Sequence, residues 1–269
     1  MFELAVNISQ GRNIELIKLI YARLKSNILD LHSDYYHNRT VVTLVDDQSF
    51  NALKNLAEIC FSKLSITEHQ GIHPKLGVLD VVPFVPLPIT KDPDLSSAIK
   101  ARNMFAQYLA ETYNVPVFLY GPEISLPEIR RKAFKERNPD FGPLVPHEQF
   151  GSTCVGARSV LVAYNILTSE ITINVAKDYC KNLRSDKVRS LAFLVGDFIQ
   201  FSFNLLNPFV VGPLDVYKRV SEVAQVRQSE LVGLIPEKVL TQISQQFWNC
   251  LDLSLEKTIE ARLSWIGKT

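Results

Sequence analysis

The sequence predicts an α+β fold: two ferredoxin-like α/β-sandwich subdomains with a cleft between them. Three observations lead there. Helical and strand-like apolar periods alternate along the whole chain. The second half reads β-α-β-β-α-β, an order that suits helices on one face of an antiparallel sheet. The first half has a similar order with an additional strand and a long Gly/Pro-rich segment. A division near residue 160 then gives subdomains 1–160 and 161–269, and 269 residues are enough for two modest domains.

The elements follow in order. Residues 2–8, FELAVNI, alternate as a strand. Ile14, Ile17, Leu19, Ile20 and Leu24 recur at helical spacing, so 13–26 is a helix. The β-rich NRTVVTLVDD at 38–47 is a strand, and 49–64 an amphipathic helix. A strand begins at 77, and its prolines (Pro83, Pro86, Pro88) end regular pairing or place it at a sheet edge. Residues 94–114 form a long helix with Asp94 as N-cap, and 115–121 a short buried strand. Residues 121–157 are rich in Gly, Pro and polar side chains. They form a long ordered loop interrupted by one helix at 127–136. Beyond it come a strand (157–167), a helix (171–185), and two strands (188–196 and 197–207) joined at Gly196-Asp197. A helix starting at Pro213 (213–226), a strand (229–236) and two helices (236–250 and 253–265) complete the order.

Composition narrows the function. The chain is 46% apolar and 21% charged, ordinary for a globular protein. Its 29 basic and 28 acidic residues give a net charge of +1, which argues against binding nucleic acid by phosphate neutralisation. The basic cluster RRKAFKER at 130–137 reads as a solvated helix face. Cys60, Cys154, Cys180 and Cys250 have no paired spacing and read as reduced, mostly buried thiols. No secretory signal and no membrane-spanning run is recognisable, so a soluble cytoplasmic protein is expected.

All five histidines lie before residue 150. His69 and His73 are four apart, but Gly71 and Pro74 argue against a helix that would align them, and no metal site is expected. His73, on a Gly/Pro-stiffened loop before an apolar run containing Asp80, is the candidate acid/base, because imidazole exchanges protons near neutral pH. In HSDYYHNRTV, residues Asp34, His37, Asn38 and Arg39 precede a strand, and Arg39 can pair with a carboxylate of a substrate or of the protein. Glycines at 142, 151 and 156 with Phe141 and Phe150 suit a backbone that approaches a flat ligand, although no nucleotide-phosphate motif is present. The residues alone indicate a small-molecule pocket built on loops.

Several stretches together resemble the formiminotransferase family. VNISQGR is similar to its N-terminal V-P-N-F-S-E-G-R, and DLHSDYYHNRTV to its D-x-H-x-D-x-D-H-N-R-[ST]-V segment. QGIHPKLGVLDVVPFVP resembles its K-G-x-H-P-R-[ML]-G-x-L-D-V-x-P-F-[IV]-P signature, and SELVGLIP a strand of its second half; VPVFLYG and PDFGP also recur. The resemblance extends over essentially the whole chain, which ends too soon to include a cyclodeaminase domain. It implies transfer of a formimino group from N-formimino-L-glutamate to N5 of tetrahydrofolate, or of a formyl group from formylglutamate. By the same resemblance His73 is the catalytic histidine. The folate-binding stretch is Gly142, Pro143, Leu144, Val145, Pro146, His147, Glu148, Gln149, Phe150 and Gly151. A homodimer is implied as well. From charge and position, Arg39 and Lys75 are candidates for the glutamate carboxylates, with Asn38 beside them, and Asp80 or Asp34 for orienting His73. The sequence departs from the family pattern at Val6, Gln10 and Tyr36, and in LVPHEQFG. A non-catalytic folate-binding or interaction protein on the same fold is the alternative.

Overall fold

The computed structural model describes residues 1–268. It divides into two compact units, one from Met1 to Arg158 and one starting at Ser159.

The first unit is built on a six-stranded sheet of order β2-β3-β1-β4-β6-β5. Its strands are β1 (Phe2–Ile8), β2 (Ile28–Asp34), β3 (Arg39–Asp46), β4 (Leu79–Pro86), β5 (Val117–Tyr120) and β6 (Thr153–Ala157). β1 runs antiparallel to β3 and to β4, whereas β6 runs parallel to β4 and to β5. Helices α1 (Ile14–Leu24), α2 (Asn51–Lys63) and α3 (Ser96–Tyr113) bury Leu16, Ile20, Leu53, Leu56, Phe105 and Leu109 in one core with Val42, Leu44, Val82 and Phe84. A short helix, α4 (Leu126–Lys132), packs Ile129 into a separate cluster with Val81, Phe118 and Cys154. Val81 and Val82 point to opposite faces of their strand, so the two clusters lie on opposite sides of the sheet.

The second unit has a four-stranded antiparallel sheet of order β10-β7-β9-β8. Its elements are β7 (Val162–Ser169), α5 (Ile173–Leu183), β8 (Val188–Val195), β9 (Phe198–Leu205), α6 (Pro213–Ser221) and β10 (Gln225–Val232). Ala176, Cys180, Val216 and Val220 from the two helices share a core with Tyr164, Ile166, Phe201 and Phe203. The Tyr179 hydroxyl of α5 donates to the Arg219 carbonyl of α6 at 2.8 Å, so both helices cover one face. The β-α-β-β-α-β order expected for this half is the one found. Numbered within each unit, the strand order is 4-1-3-2 in both, and β6 and β5 extend the first sheet beyond its fourth strand.

Several sequence expectations need correction. β4 does not lie at an edge: it sits between β1 and β6. By the register of the flanking pairs Pro83 falls opposite Ala5, in a gap of the β1–β4 ladder, while its other neighbour is Gly156 of β6. Asp94 stands one residue ahead of the N-cap position, and its carboxylate accepts from the Ser96 backbone N–H and hydroxyl. β2 falls in a stretch to which the sequence assigned no element, and β6 in the segment read as a long loop. The helix expected at 127–136 ends at Lys132. The strand expected at 157–167 starts at Val162, and the one expected at 229–236 starts at Gln225. The two long terminal helices are not formed. One turn of helix, α7 (Glu237–Leu240), two 3₁₀ turns and α8 (Ile259–Trp265) stand in their place. Among the described residues no helix is long and apolar enough to cross a membrane.

Phe84 is fully buried in the first core, with ring centroids 5.5, 5.7 and 6.1 Å from Phe2, Phe50 and Phe105. Phe84→Ala is expected to destabilise the chain by about 3–5 kcal/mol, read by denaturant unfolding. A loss below about 1 kcal/mol would contradict this packing.

Candidate active site

The strand directions bring four strand termini to one end of the first sheet. β1 ends at Ile8, β3 begins at Arg39, β4 begins at Leu79 and β6 begins at Thr153. Because β1 opposes β3 and β4 while β6 is parallel to β4, all of these termini share one edge. The β2–β3 turn (35–38) and the segments 69–78 and 142–152 are therefore neighbours.

Close backbone contact holds them together. A Cβ at Gly11 would lie 2.3 Å from the Asp34 carbonyl oxygen and 2.6 Å from the Arg39 nitrogen. One at Gly71 would lie 2.3 Å from the His37 carbonyl oxygen, so only glycine fits at either place. Buried Asn38, in the left-handed region at φ 47°, joins three segments. Its Oδ1 accepts the Gly11 N–H at 2.9 Å, its Nδ2 donates to the Gln70 carbonyl at 3.1 Å, and its own carbonyl accepts from His69 Nε2 at 2.8 Å. The Ser9 hydroxyl donates to the Gly77 carbonyl at 2.7 Å, fastening the end of β1 to the entry of β4.

These residues surround a small, half-open hollow lined by Ser9, His37, Arg39, His69, His73, Lys75 and Asp80. Of the residues singled out in the sequence, His73, Arg39, Lys75 and Asp80 meet here, and Asn38 supports them from behind. His37 and His69, noted in the sequence without an assigned role, line it as well, and Ser9 of the VNISQGR stretch is additional. The His37 and His73 rings meet edge to face with centroids 5.8 Å apart.

Hydrogen bonding fixes the state of the imidazoles. Arg39 Nη1 lies 2.7 Å from His73 Nε2. A guanidinium only donates, so Nε2 holds a lone pair and the neutral ring carries its proton on Nδ1. Burial, and then the positive charges of Arg39 and Arg130, push the His73 pKa down to about 2. His69 donates through Nε2 to a carbonyl, and burial lowers its pKa too. Its Nδ1 has no hydrogen-bond partner among the described residues.

Asp80 is the buried anion of the site. Oδ1 accepts the Leu76 N–H at 2.7 Å, and Oδ2 accepts from Arg130 Nη2 at 2.5 Å. Burial raises its pKa, and Arg130 opposes that rise. The basic cluster at 130–137 is therefore not a solvated face. Arg130 reaches inward from α4 to Asp80, Ala133 is buried, and Arg137 pairs with Asp140 at 2.8 Å.

The 142–151 loop reaches the same end of the sheet but contributes no residue to the lining of the hollow. His147 and Gly151 exchange backbone hydrogen bonds of 3.0 and 2.8 Å. The His147 ring stacks on Phe150 at 4.3 Å, and its Nδ1 accepts from the Gln149 and Phe150 backbone N–H groups. Gly151 bridges to Gly77, which ties this end of the loop to the strand entry beside Asp80. Leu144 and Val145 are exposed. The departures from the family pattern also have local explanations. Gln10 Oε1 accepts from the Arg12 and Asn13 backbone N–H groups, and Tyr36 is exposed and packs edge to face with Tyr35. Among the described residues no group of three or more His, Cys, Asp and Glu side chains is placed to hold a metal ion.

The family model described as the N-terminal subdomain of the formiminotransferase domain matches residues 1–158. The chain belongs to the formiminotransferase family. It is 31% identical to a glutamate formimidoyltransferase of Thermoplasma acidophilum, over 92% of both chains. With a glutamate formimidoyltransferase of Streptococcus pyogenes the identity is 29%, over 94% of this chain and 95% of the relative. It is also 32% identical to the formimidoyltransferase-cyclodeaminase of Sus scrofa, over 89% of this chain but only 51% of that larger protein. The matched 1–158 segment is the unit that holds the hollow.

Two outcomes test this site. Arg130→Met leaves the Asp80 carboxylate buried without its cation and is expected to cost about 3 kcal/mol in denaturant unfolding. Arg130→Met paired with Asp80→Asn should recover most of that loss; no recovery would mean that the pair is not what Arg130 contributes. In the free protein His73 is expected to stay neutral by NMR titration at least down to about pH 5. Below the ordinary histidine range the unfolded chain binds a proton that folded His73 refuses. This residue's contribution to stability therefore falls as pH drops through about 6.5. Titration of His73 near about 6.5 in the free protein would contradict the Arg39 contact.

Proposed function

We propose that this chain transfers a formimino group from N-formimino-L-glutamate to N5 of tetrahydrofolate, with His73 carrying the protons. The observation behind this reading is a neutral histidine with an unprotonated Nε2 in one hollow with Arg39 and Lys75, in a chain of the formiminotransferase family.

The hollow suits one end of the reaction. Its lining is polar and cationic with no broad apolar wall, which suits a glutamate-type donor better than the flat ring of a folate. Arg39 and Lys75 supply the positive charge that two carboxylates require. The His147–Phe150 stack and the exposed Leu144 and Val145 give the 142–151 loop apolar surface for a flat ring, and folate binding is assigned to it by family resemblance. Tetrahydrofolate supplies the accepting nitrogen. His73 Nε2 takes the proton released as the new C–N bond forms, and returns it to the glutamate nitrogen as the old C–N bond breaks. A single imidazole placed this way contributes roughly 10²–10⁴-fold. Asn38 serves as a positioning residue, since both ends of its amide hold backbone groups. Asp80 holds Arg130 and the Leu76 N–H beside the reacting groups. Formylglutamate is the second donor to test, and by resemblance the protein works as a cytoplasmic homodimer.

Purified protein assayed with tetrahydrofolate and formiminoglutamate is expected to turn over, and His73→Ala to lose roughly 10²-fold or more in kcat. Equal rates in the two proteins would remove His73 as the proton carrier. Turnover with formylglutamate alone would reassign the transferred group. Folate binding without turnover of either donor would replace the enzyme with a non-catalytic folate-binding protein.

A further inference from the structure

The contact between Arg39 and His73 conflicts with the work proposed for each. A base needs a free lone pair, yet Arg39 Nη1 holds Nε2 at 2.7 Å. A carboxylate receptor needs an available guanidinium, yet Arg39 rests on an imidazole. We propose that Arg39 is a carboxylate-operated cap: its guanidinium holds the His73 Nε2 lone pair, and exchanges that nitrogen for a carboxylate of the glutamate-type donor as the donor binds. This rests on the functional reading above and adds the order of events within that site.

Two features favour the exchange. A guanidinium–carboxylate pair is charge-assisted on both sides and accepts bidentate geometry, whereas a neutral imidazole offers one acceptor atom. Arg39 is also the first residue of β3, and its backbone pairs with Asp34 and lies against Gly11. Only its side chain need turn.

The groups around His73 set the direction of the change. Arg39, Arg130 and His37 act on the ring together with burial, and all of them hold it neutral. Lys75, His69 and Asp80 complete the lining, with the Asp80 charge opposed by Arg130. Withdrawing the Arg39 contact and bringing in an anion both move His73 toward the basicity a proton carrier needs. The cap would thus keep the imidazole out of proton exchange until the donor is seated.

The test uses the whole chain labelled with ¹⁵N-histidine and ¹⁵N-arginine, with L-glutamate as the probe. At about pH 8 the ring is neutral in either state, so the Nε2 resonance reports its hydrogen bond rather than its charge. Saturation with L-glutamate is expected to move His73 Nε2 toward the position of a nitrogen that accepts no bond, and the Arg39 guanidinium resonances to move with it. At lower pH the His73 protonation constant should rise at least tenfold. In Arg39→Met the free protein should already show the uncapped Nε2 position, and Arg39→Lys serves as the variant that keeps the charge. Glutamate binding that shifts His37 and His69 but leaves His73 Nε2 in place would overturn the cap. If turnover is present in the same preparation, the functional reading survives that result. Neither turnover nor any response to L-glutamate would overturn both.

Discussion

β1 lies between β3 and β4 and opposes both, and the geometry of the site follows from that arrangement. With β1 central, the loop after it, the turn before β3 and the segment before β4 must emerge at one end of the sheet. β6 pairs parallel to β4, which sends the end of the 142–151 loop to the same place. No long-range adjustment is needed to bring residues 9, 37–39, 69–80 and 151 together. Glycine at 11 and 71 then lets the backbones approach until the Asn38 amide can reach both sides.

Charge placement depends on this convergence. Asp80 enters the interior at the start of β4 and would be costly as an unpaired anion. Arg130 from α4 compensates it on the opposite face of the sheet from the main core. Arg39 also acts on the Asp80 charge, and its Nη1 donates to the His73 imidazole at 2.7 Å. The result is a hollow in which burial disfavours the charged forms of His69 and His73 beside Arg39 and Lys75.

Much of this was legible in the sequence, and the gaps have physical causes. The helices α1, α2, α3, α5 and α6 follow from apolar period, because each buries one stripe. β2 is an edge strand whose residues are mostly half-buried, so ILDLHSD shows little of the alternation that a covered strand would. β6 is the converse: TCVGA is entirely buried, short and interrupted by Gly156, and gives neither period nor length to detect. Arg130 was misread because a run of basic residues on a short helix resembles a solvated face. Its partner is fifty positions away in sequence, and only the fold brings the two together. His73 and Arg39 could be picked from their chemistry, but that they bond to each other is a long-range fact.

The two units share a strand order, which isolates what distinguishes them. In the second unit the hairpin between its second and third strands is the tight Gly196-Asp197 turn, and no histidine occurs there. In the first unit the equivalent connection is the longer turn at 35–38. It carries His37 and the left-handed Asn38, and leads directly into Arg39. The β-α-β-β-α-β frame is therefore sufficient for folding in both halves and insufficient for chemistry in either. The candidate site arises where one frame lengthens that turn and then adds two parallel strands beyond its fourth. Those strands deliver the 142–151 loop to the same edge, against Gly77. Tightening the 35–38 turn to two residues would preserve the sheet and remove the site.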